Sequence, residues 1–143
     1  MVNRPALAMR KRGPHKACGL YAHITWHTWR RQRSVRAVDV ADITDAVRQA
    51  AHCRGVHVHA QAVLSDHVHV IVSYNPAVAL APFIRHAKSE SARRLNLRRG
   101  SPGIFRWCRG YYAGSLSRSH VGLARGYVGR QHFRHPDRIP ASG

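Results

Sequence analysis

The chain has 143 residues, 44% of them apolar, a size that fits one domain with a moderate core. Its 24 Lys and Arg face six Asp and Glu, a formal net charge of +18, and only Lys11, Lys16 and Lys88 are lysine. An excess of guanidinium forks points to phosphate, and so to nucleic acid as partner. No run reaches the roughly 18 apolar residues of a membrane span, and the six acids are too few and too scattered for a carboxylate-built metal site of the nuclease kind.

Residues 1–17 read as a basic, proline-containing flexible arm. Its short apolar run has basic residues on both sides, unlike a signal peptide, and the cytoplasm is the expected location. Residues 19–29, GLYAHITWHTW, alternate: Leu20, Ala22, Ile24 and Trp26 on one face, Tyr21, His23, Thr25 and His27 on the other. That pattern predicts a strand. A basic connector carrying Arg30 and Arg31 follows. Val40, Ile43, Val47 and Ala50 then recur at helical spacing, with Asp39, Asp42 and Asp45 near the start and Gly55 at the end. Residues 56–64 and 67–74 read as two strands joined by a short turn at Ser65-Asp66, an antiparallel hairpin. A helix is expected over 76–99, starting as late as Pro82, with Leu80, Phe83, Ile84 and Ala87 on its apolar side. Residues 105–116 look like an aromatic strand. Residues from about Ser119 to Phe133 look like a helix weakened by Gly122, Gly126 and Gly129. The tail, 136–143, reads as flexible. Cys18, Cys53 and Cys108 are far apart and form no CxxC pair, against a disulfide framework or zinc knuckle.

The order β-α-β-β-α-β-α, without internal repeat, predicts a two-layer α+β domain of ferredoxin-like (RRM-like) type. Two helices would cover one face of an antiparallel sheet, and the last helix would be extra.

Three features could carry chemistry. His67 and His69, two residues apart on an apolar strand, project from one face as a bidentate metal half-site, or are two polar positions on a strand. The chain holds a second such pair, His57 and His59, so one copy must matter less. Tyr127 and Gln131, four apart on the predicted helix, project together. A carboxamide oxygen can bind Mg²⁺ or Mn²⁺, and a phenol beside that ion can attack phosphorus; otherwise the tyrosine packs and the glutamine is solvated. Tyr111 and Tyr112 compete as nucleophiles, although aromatic side chains on a strand more often pack or stack. The basic run Arg85, Lys88, Arg93, Arg94, Arg98, Arg99, Arg106 and Arg109, opposed only by Glu90, reads as a phosphate-contacting surface or as a solvated helix face.

These features occur in an order that resembles the single-tyrosine HUH transposases of small bacterial insertion sequences, the insertion-sequence 200/605 group. YAHITWHTWRRQ is similar to that family's first strand and basic stretch, VLSDHVHVIV to its histidine signature, YNPAVALAPFIRHAKSESARRL to the helix that follows. FRWCRGYYAGSLS is similar to its final strand segment, and LARGYVGRQHFRHP to the helix bearing the tyrosine. The resemblance spans about Tyr21 to His135, and implies one HUH domain over residues 18–135. It implies that His67, His69 and Gln131 hold one Mg²⁺ or Mn²⁺, and that Tyr127 attacks single-stranded DNA beside a hairpin at an element end. The product would be a 5′-phosphotyrosine and a free 3′-hydroxyl. It further implies a homodimer in which the tyrosine helix of one subunit completes the site of the other in trans; the charge of the chain adds expected DNA contacts from Arg30, Arg31, Arg85, Lys88, Arg93 and Arg94. Glycines on both sides of Tyr127 depart from the family's sturdier helix and open a second reading, a catalytically inactive or domesticated DNA-binding protein on the same fold. A third, an RRM-like RNA-binding module, would need exposed sheet aromatics where this chain has its HVH run.

Overall fold

The computed structural model describes residues 19–101 and 103–142. The predicted basic arm, 1–17, lies outside them. Four strands, β1 (Leu20–His27), β2 (Val56–Val63), β3 (His67–Tyr74) and β4 (Tyr112–Leu116), form one antiparallel sheet in the order β2-β3-β1-β4. With helices α1 (Val40–Arg54) and α2 (Leu80–Arg99) between them, this is the ferredoxin-like α+β arrangement that the sequence predicts.

Strand alternation divides the two faces. Ala22, Ile24 and Trp26 of β1 and Val68, Val70 and Val72 of β3 point into the core. There they meet Ile43, Val47 and Ala50 of α1 and Phe83, Ile84, Ala87 and Leu95 of α2. Both helices stop where expected of glycine: Gly55 and Gly100 sit at φ 70° and 71°, a left-handed conformation that a Cβ disfavours. α2 begins at Leu80, so Pro82 falls inside its first turn, where no intrahelical N–H is lost.

A buried polar knot ties α1 to α2. Asp39, 1% exposed, accepts from Arg98 at 3.0 Å and Arg99 at 2.6 Å, and Asp42 also pairs with Arg98. The basic run is therefore opposed by more than Glu90.

Three expectations are corrected. The strand expected over 105–116 is only Tyr112–Leu116. The part before it makes only an isolated bridge to the end of β1, Trp107 with Thr28, and is held on α2: Lys88 Nζ donates to the carbonyls of Cys108 at 2.8 Å and Gly110 at 2.7 Å, and the Trp107 indole N–H donates to Ser91 Oγ. The helix expected from Ser119 to Phe133 is two, α3 (Val121–Gly129) and the short α4 (Gln131–Arg134), broken at Arg130 (φ −98°, ψ 9°) just after Gly129. Third, the tail is tied down as far as Ala141. Arg138 pairs with Asp66 and its carbonyl accepts from the Ser65 N–H, and the Ala141 carbonyl accepts from the Ala37 N–H.

Candidate active site

The second sheet face carries the polar side chains of the same alternation: His23, Thr25 and His27 on β1, His67 and His69 on β3. The register sets Thr25 opposite His69 and His27 opposite His67. α3 packs across this face against β2 and β3, with Val128 fully buried. β3 is a central strand, so its two imidazoles stand on a rigid support.

Each imidazole is oriented from behind. His67 Nδ1 lies 2.7 Å from Asp66 Oδ1, and His69 Nδ1 lies 2.9 Å from His23 Nε2. An Nδ1–H donated outward in both rings leaves both Nε2 lone pairs facing inward, the tautomer that metal-binding histidines use. Those two Nε2 atoms are 3.1 Å apart. The Gln131 side chain is fully buried and donates its amide N–H to the Tyr127 carbonyl at 3.0 Å. Its oxygen, beside the His69 ring, takes no aligned hydrogen bond.

In those tautomers three inward lone-pair groups share no proton, and they make a pocket that a cation would satisfy. The donors suit Mn²⁺ or Mg²⁺: two imidazole nitrogens and a hard carboxamide oxygen, with 3.1 Å between the nitrogens, close to what two adjacent ligands on an octahedral ion with bonds of about 2.1 Å require. Among the described residues no group of three or more His, Cys, Asp or Glu is placed to hold a metal, so the glutamine is what makes the set three.

The electrostatics keep the donors available. Burial, and then the nearby His67, His23 and His135, lower the His69 pKa to about 3, so its ring stays neutral at physiological pH. Burial alone would raise the Asp66 pKa. The His67 hydrogen bond, with the His67, Arg138 and Arg31 charges, outweighs it and holds the carboxyl below its ordinary value. Burial lowers the pKa of His23 as well.

Tyr127 stands at the rim of this group. Its ring centroid is 6.0 Å from that of His69 and 6.1 Å from that of His23, and the Arg134 guanidinium lies 5.1 Å from it. A cavity of about 290 Å³ is lined by Tyr127, His67, His69, Gln131, Arg31 and Arg138, among others. Tyr127 and the histidines of the same chain thus line one cavity.

The family described as transposase IS200 like matches residues 16–131, most of the chain. The chain belongs to that family. It is 29% identical over 85 residues to the ISDra2 transposase TnpA of Deinococcus radiodurans; the match covers 59% of this chain and 61% of that relative's length. The crystal structure of a protein from the same organism assigned as a transposase superposes with a TM-score of 0.65 at 24% identity, over 87% of this chain and 98% of the other. A REP-associated tyrosine transposase bound to a REP hairpin superposes with a TM-score of 0.67 at 14% identity, over 90% of this chain and 74% of that one. Both structural likenesses concern the fold.

In this member of the family the second histidine pair is placed differently. His57 is exposed on the edge strand β2, and His59 Nε2 lies 2.8 Å from Ser73 Oγ, next to a bulge between Val58 and Ala60. Tyr111 and Tyr112 are exposed and do not line the histidine cavity.

The basic residues divide. Arg93 and Arg94 both pair with Glu90, and Arg94 also reaches Gln49. Lys88 holds main-chain carbonyls. Arg85 and Lys88 line a groove of about 610 Å³ between α2 and residues 105–111, together with Arg106 and Arg109. Arg30 lies over the Trp29 ring and Arg31 lines the histidine cavity.

Sequence reasoning did not single out His23, His135 or Arg138 for the site. The polar alternation of β1 held the signal for His23, but its meaning needs the β1–β3 register. Arg138, far away in the chain, arrives only through the docked tail.

Proposed function

We propose that this protein cleaves and rejoins single-stranded DNA beside hairpins at element ends by transesterification, with Tyr127 as nucleophile. One observation carries the reading: the inward Nε2 pair of His67 and His69, 3.1 Å apart, closed by the unpartnered Gln131 oxygen within a cavity that Tyr127 also lines. Family membership supports the reaction class, and the net charge of +18 supports a nucleic-acid substrate. We propose that residues 18–135 form the single HUH domain.

His67, His69 and Gln131 would hold Mg²⁺ or Mn²⁺. When bound, the ion polarises the scissile phosphate and stabilises the charge that builds on its oxygens. Asp66 and His23 hold the two imidazoles in the tautomer that leaves Nε2 free. Tyr127 Oη forms a bond to phosphorus as the P–O3′ bond breaks; the phenolic proton leaves to solvent and the departing O3′ takes one up. The products are a 5′-phosphotyrosine and a free 3′-hydroxyl. Attack by a 3′-hydroxyl on that phosphotyrosine reseals a strand and returns Tyr127, so bond energy is conserved and no nucleotide is consumed.

Arg30, Arg31, Arg85, Lys88, Arg93 and Arg94 are proposed to contact the DNA. Those in the α2 groove would follow the phosphate backbone away from the cavity. The family likeness leads us to propose a homodimer. The cis placement of Tyr127 in one chain would then be one of two states, the helix reaching a second copy in trans through the segment between β4 and α3.

Titration calorimetry with Mn²⁺ tests the metal set. The parent should bind one ion per chain, and Gln131→Ala should bind at least tenfold more weakly. Equal affinity in the two would contradict the assignment.

A further inference from the structure

The turn after β1 is held in a costly conformation. Arg30 and Arg31 have φ 54° and 55°, the only non-glycine residues with positive φ among those described. A single side chain in the left-handed region is uncommon, and two in succession more so. Such strain persists only where neighbours over-determine it, and here they do. Thr28 is fully buried; its N–H donates to the Asp66 carbonyl at 2.9 Å and its hydroxyl to the Gln32 carbonyl at 2.6 Å. The Trp29 N–H donates to the Arg106 carbonyl at 3.0 Å, and the Trp29 ring is flanked by the Arg106 and Arg30 guanidinium groups at 4.1 and 5.4 Å.

The outcome is the placement of one cation. Arg31 lines the cavity of Tyr127, His67, His69 and Gln131. The other guanidinium there, Arg138, is committed to Asp66 and Asp137. Among the described residues Arg31 makes no side-chain hydrogen bond or ion pair, although Asp66 is near enough to feel its charge. The remaining ionisable groups lining the cavity are His27, His67, His69, His135 and Tyr127. Arg31 is exposed at the edge of this cavity, and a guanidinium there without a described partner is free to take an anion.

We infer that Arg31 is a phosphate clamp: its guanidinium binds the non-bridging oxygens of the scissile phosphodiester and holds phosphorus in line with Tyr127. Strain in the Arg30–Arg31 turn is the cost of aiming it. This rests on the transesterase reading above and adds a residue to it.

Glycine separates the two effects of this position, because it relieves the strain while removing the clamp. Four proteins are compared: parent, Tyr127→Phe, Arg31→Gly and Arg31→Lys. Each is measured for Tm, for the rate of covalent adduct formation on single-stranded DNA with Mn²⁺, and for binding of inorganic phosphate followed by the histidine ring NMR signals with Mg²⁺. Arg31→Gly should keep or raise Tm by about 2 °C, weaken phosphate binding at least tenfold, and slow the adduct about 100-fold. Arg31→Lys, which keeps the charge but not the fork, should fall between. Parental phosphate binding and adduct rate in Arg31→Gly would overturn the inference. So would losses matched by a fall in Tm, which would mark the turn as merely structural. A parent that forms no adduct, yet binds phosphate through Arg31, would leave the clamp standing and sink the transesterase reading instead.

Discussion

His23 Nε2 lies 2.9 Å from His69 Nδ1, so when His23 accepts the Nδ1–H a residue on the neighbouring strand sets which side of the His69 ring carries the free lone pair. Asp66 does the same for His67. The proposed donors are thus backed by a second layer that contributes no ligand itself. His23→Leu and Asp66→Asn should each weaken Mn²⁺ binding about 10- to 100-fold in calorimetry while all three proposed ligands remain. Parental affinity in both variants would mean that the imidazoles orient themselves.

The two histidine pairs should behave differently. His67→Ala or His69→Ala should remove measurable Mn²⁺ binding. His57→Ala and His59→Ala should leave it intact, because His57 is exposed and His59 is taken by Ser73. Loss of binding in the second set alone would move the metal to β2.

Acid should destabilise the metal-free fold early. The His69 pKa is lowered to about 3 in the folded chain against about 6.5 when exposed, so on acidification the unfolded chain takes up the proton first. The stability lost begins below about pH 6.5, grows until about pH 3, and levels there. His23 and His27 shift in the same direction. Urea midpoints with chelator present should therefore fall between pH 7 and pH 5, and fall less in His69→Gln. Glu90 acts lower: Arg93 and Arg94 bring its pKa to about 2 from 4.5, so its contribution is lost only as pH drops through that interval. A midpoint flat from pH 7 to pH 5 would contradict the buried neutral histidine.

Asp39 should be a stability hot spot with no role in chemistry. Its carboxylate, 1% exposed, joins Arg98 and Arg99 and also accepts the Arg36 N–H at 2.8 Å. Asp39→Ala leaves Arg99, itself only 11% exposed, without its carboxylate and should cost about 3 kcal/mol in urea unfolding. A cost below about 1 kcal/mol, the range of exposed pairs, would mean that solvent screens the knot.

The glycines around Tyr127 are not equivalent. A Cβ at Gly129 would meet nothing within 4 Å, whereas one at Gly126 would come within 3.0 Å of the Arg130 guanidinium. Gly129→Ala should raise stability by about 0.5–1 kcal/mol, and Gly126→Ala should gain less. No gain at Gly129 would mean that the break at Arg130 is imposed by packing rather than by weak propensity.

Alternation and helical spacing carried the fold. β1, α1, β2, β3 and α2 lie within a few residues of where the pattern of Ile24, Ile43 or Phe83 puts them, because burial of one face imposes the period. The strap at residues 105–111 was illegible for a physical reason: its aromatic run reads as a strand, but after one bridge to Thr28 the carbonyls of Cys108 and Gly110 go to Lys88, distant in sequence. The break at Arg130 was visible only as weak glycine propensity. Of the site, the His67–His69 pair and the Tyr127–Gln131 spacing could be read directly. The orienting partner His23, the cation Arg31 and the docked Arg138 depend on strand register and chain return, which local periodicity does not encode.

Covalent trapping tests the central claim most directly. Protein is mixed with denatured, sheared DNA from its source organism and Mn²⁺, and run on a denaturing gel beside Tyr127→Phe. An SDS-resistant adduct in the parent that is absent from the variant is the predicted result, and sequencing the trapped strand would identify the target. An adduct in both would move the nucleophile to Tyr111 or Tyr112. No adduct in the parent, with single-strand binding intact, would contradict the account and leave a DNA-binding protein on a transposase fold.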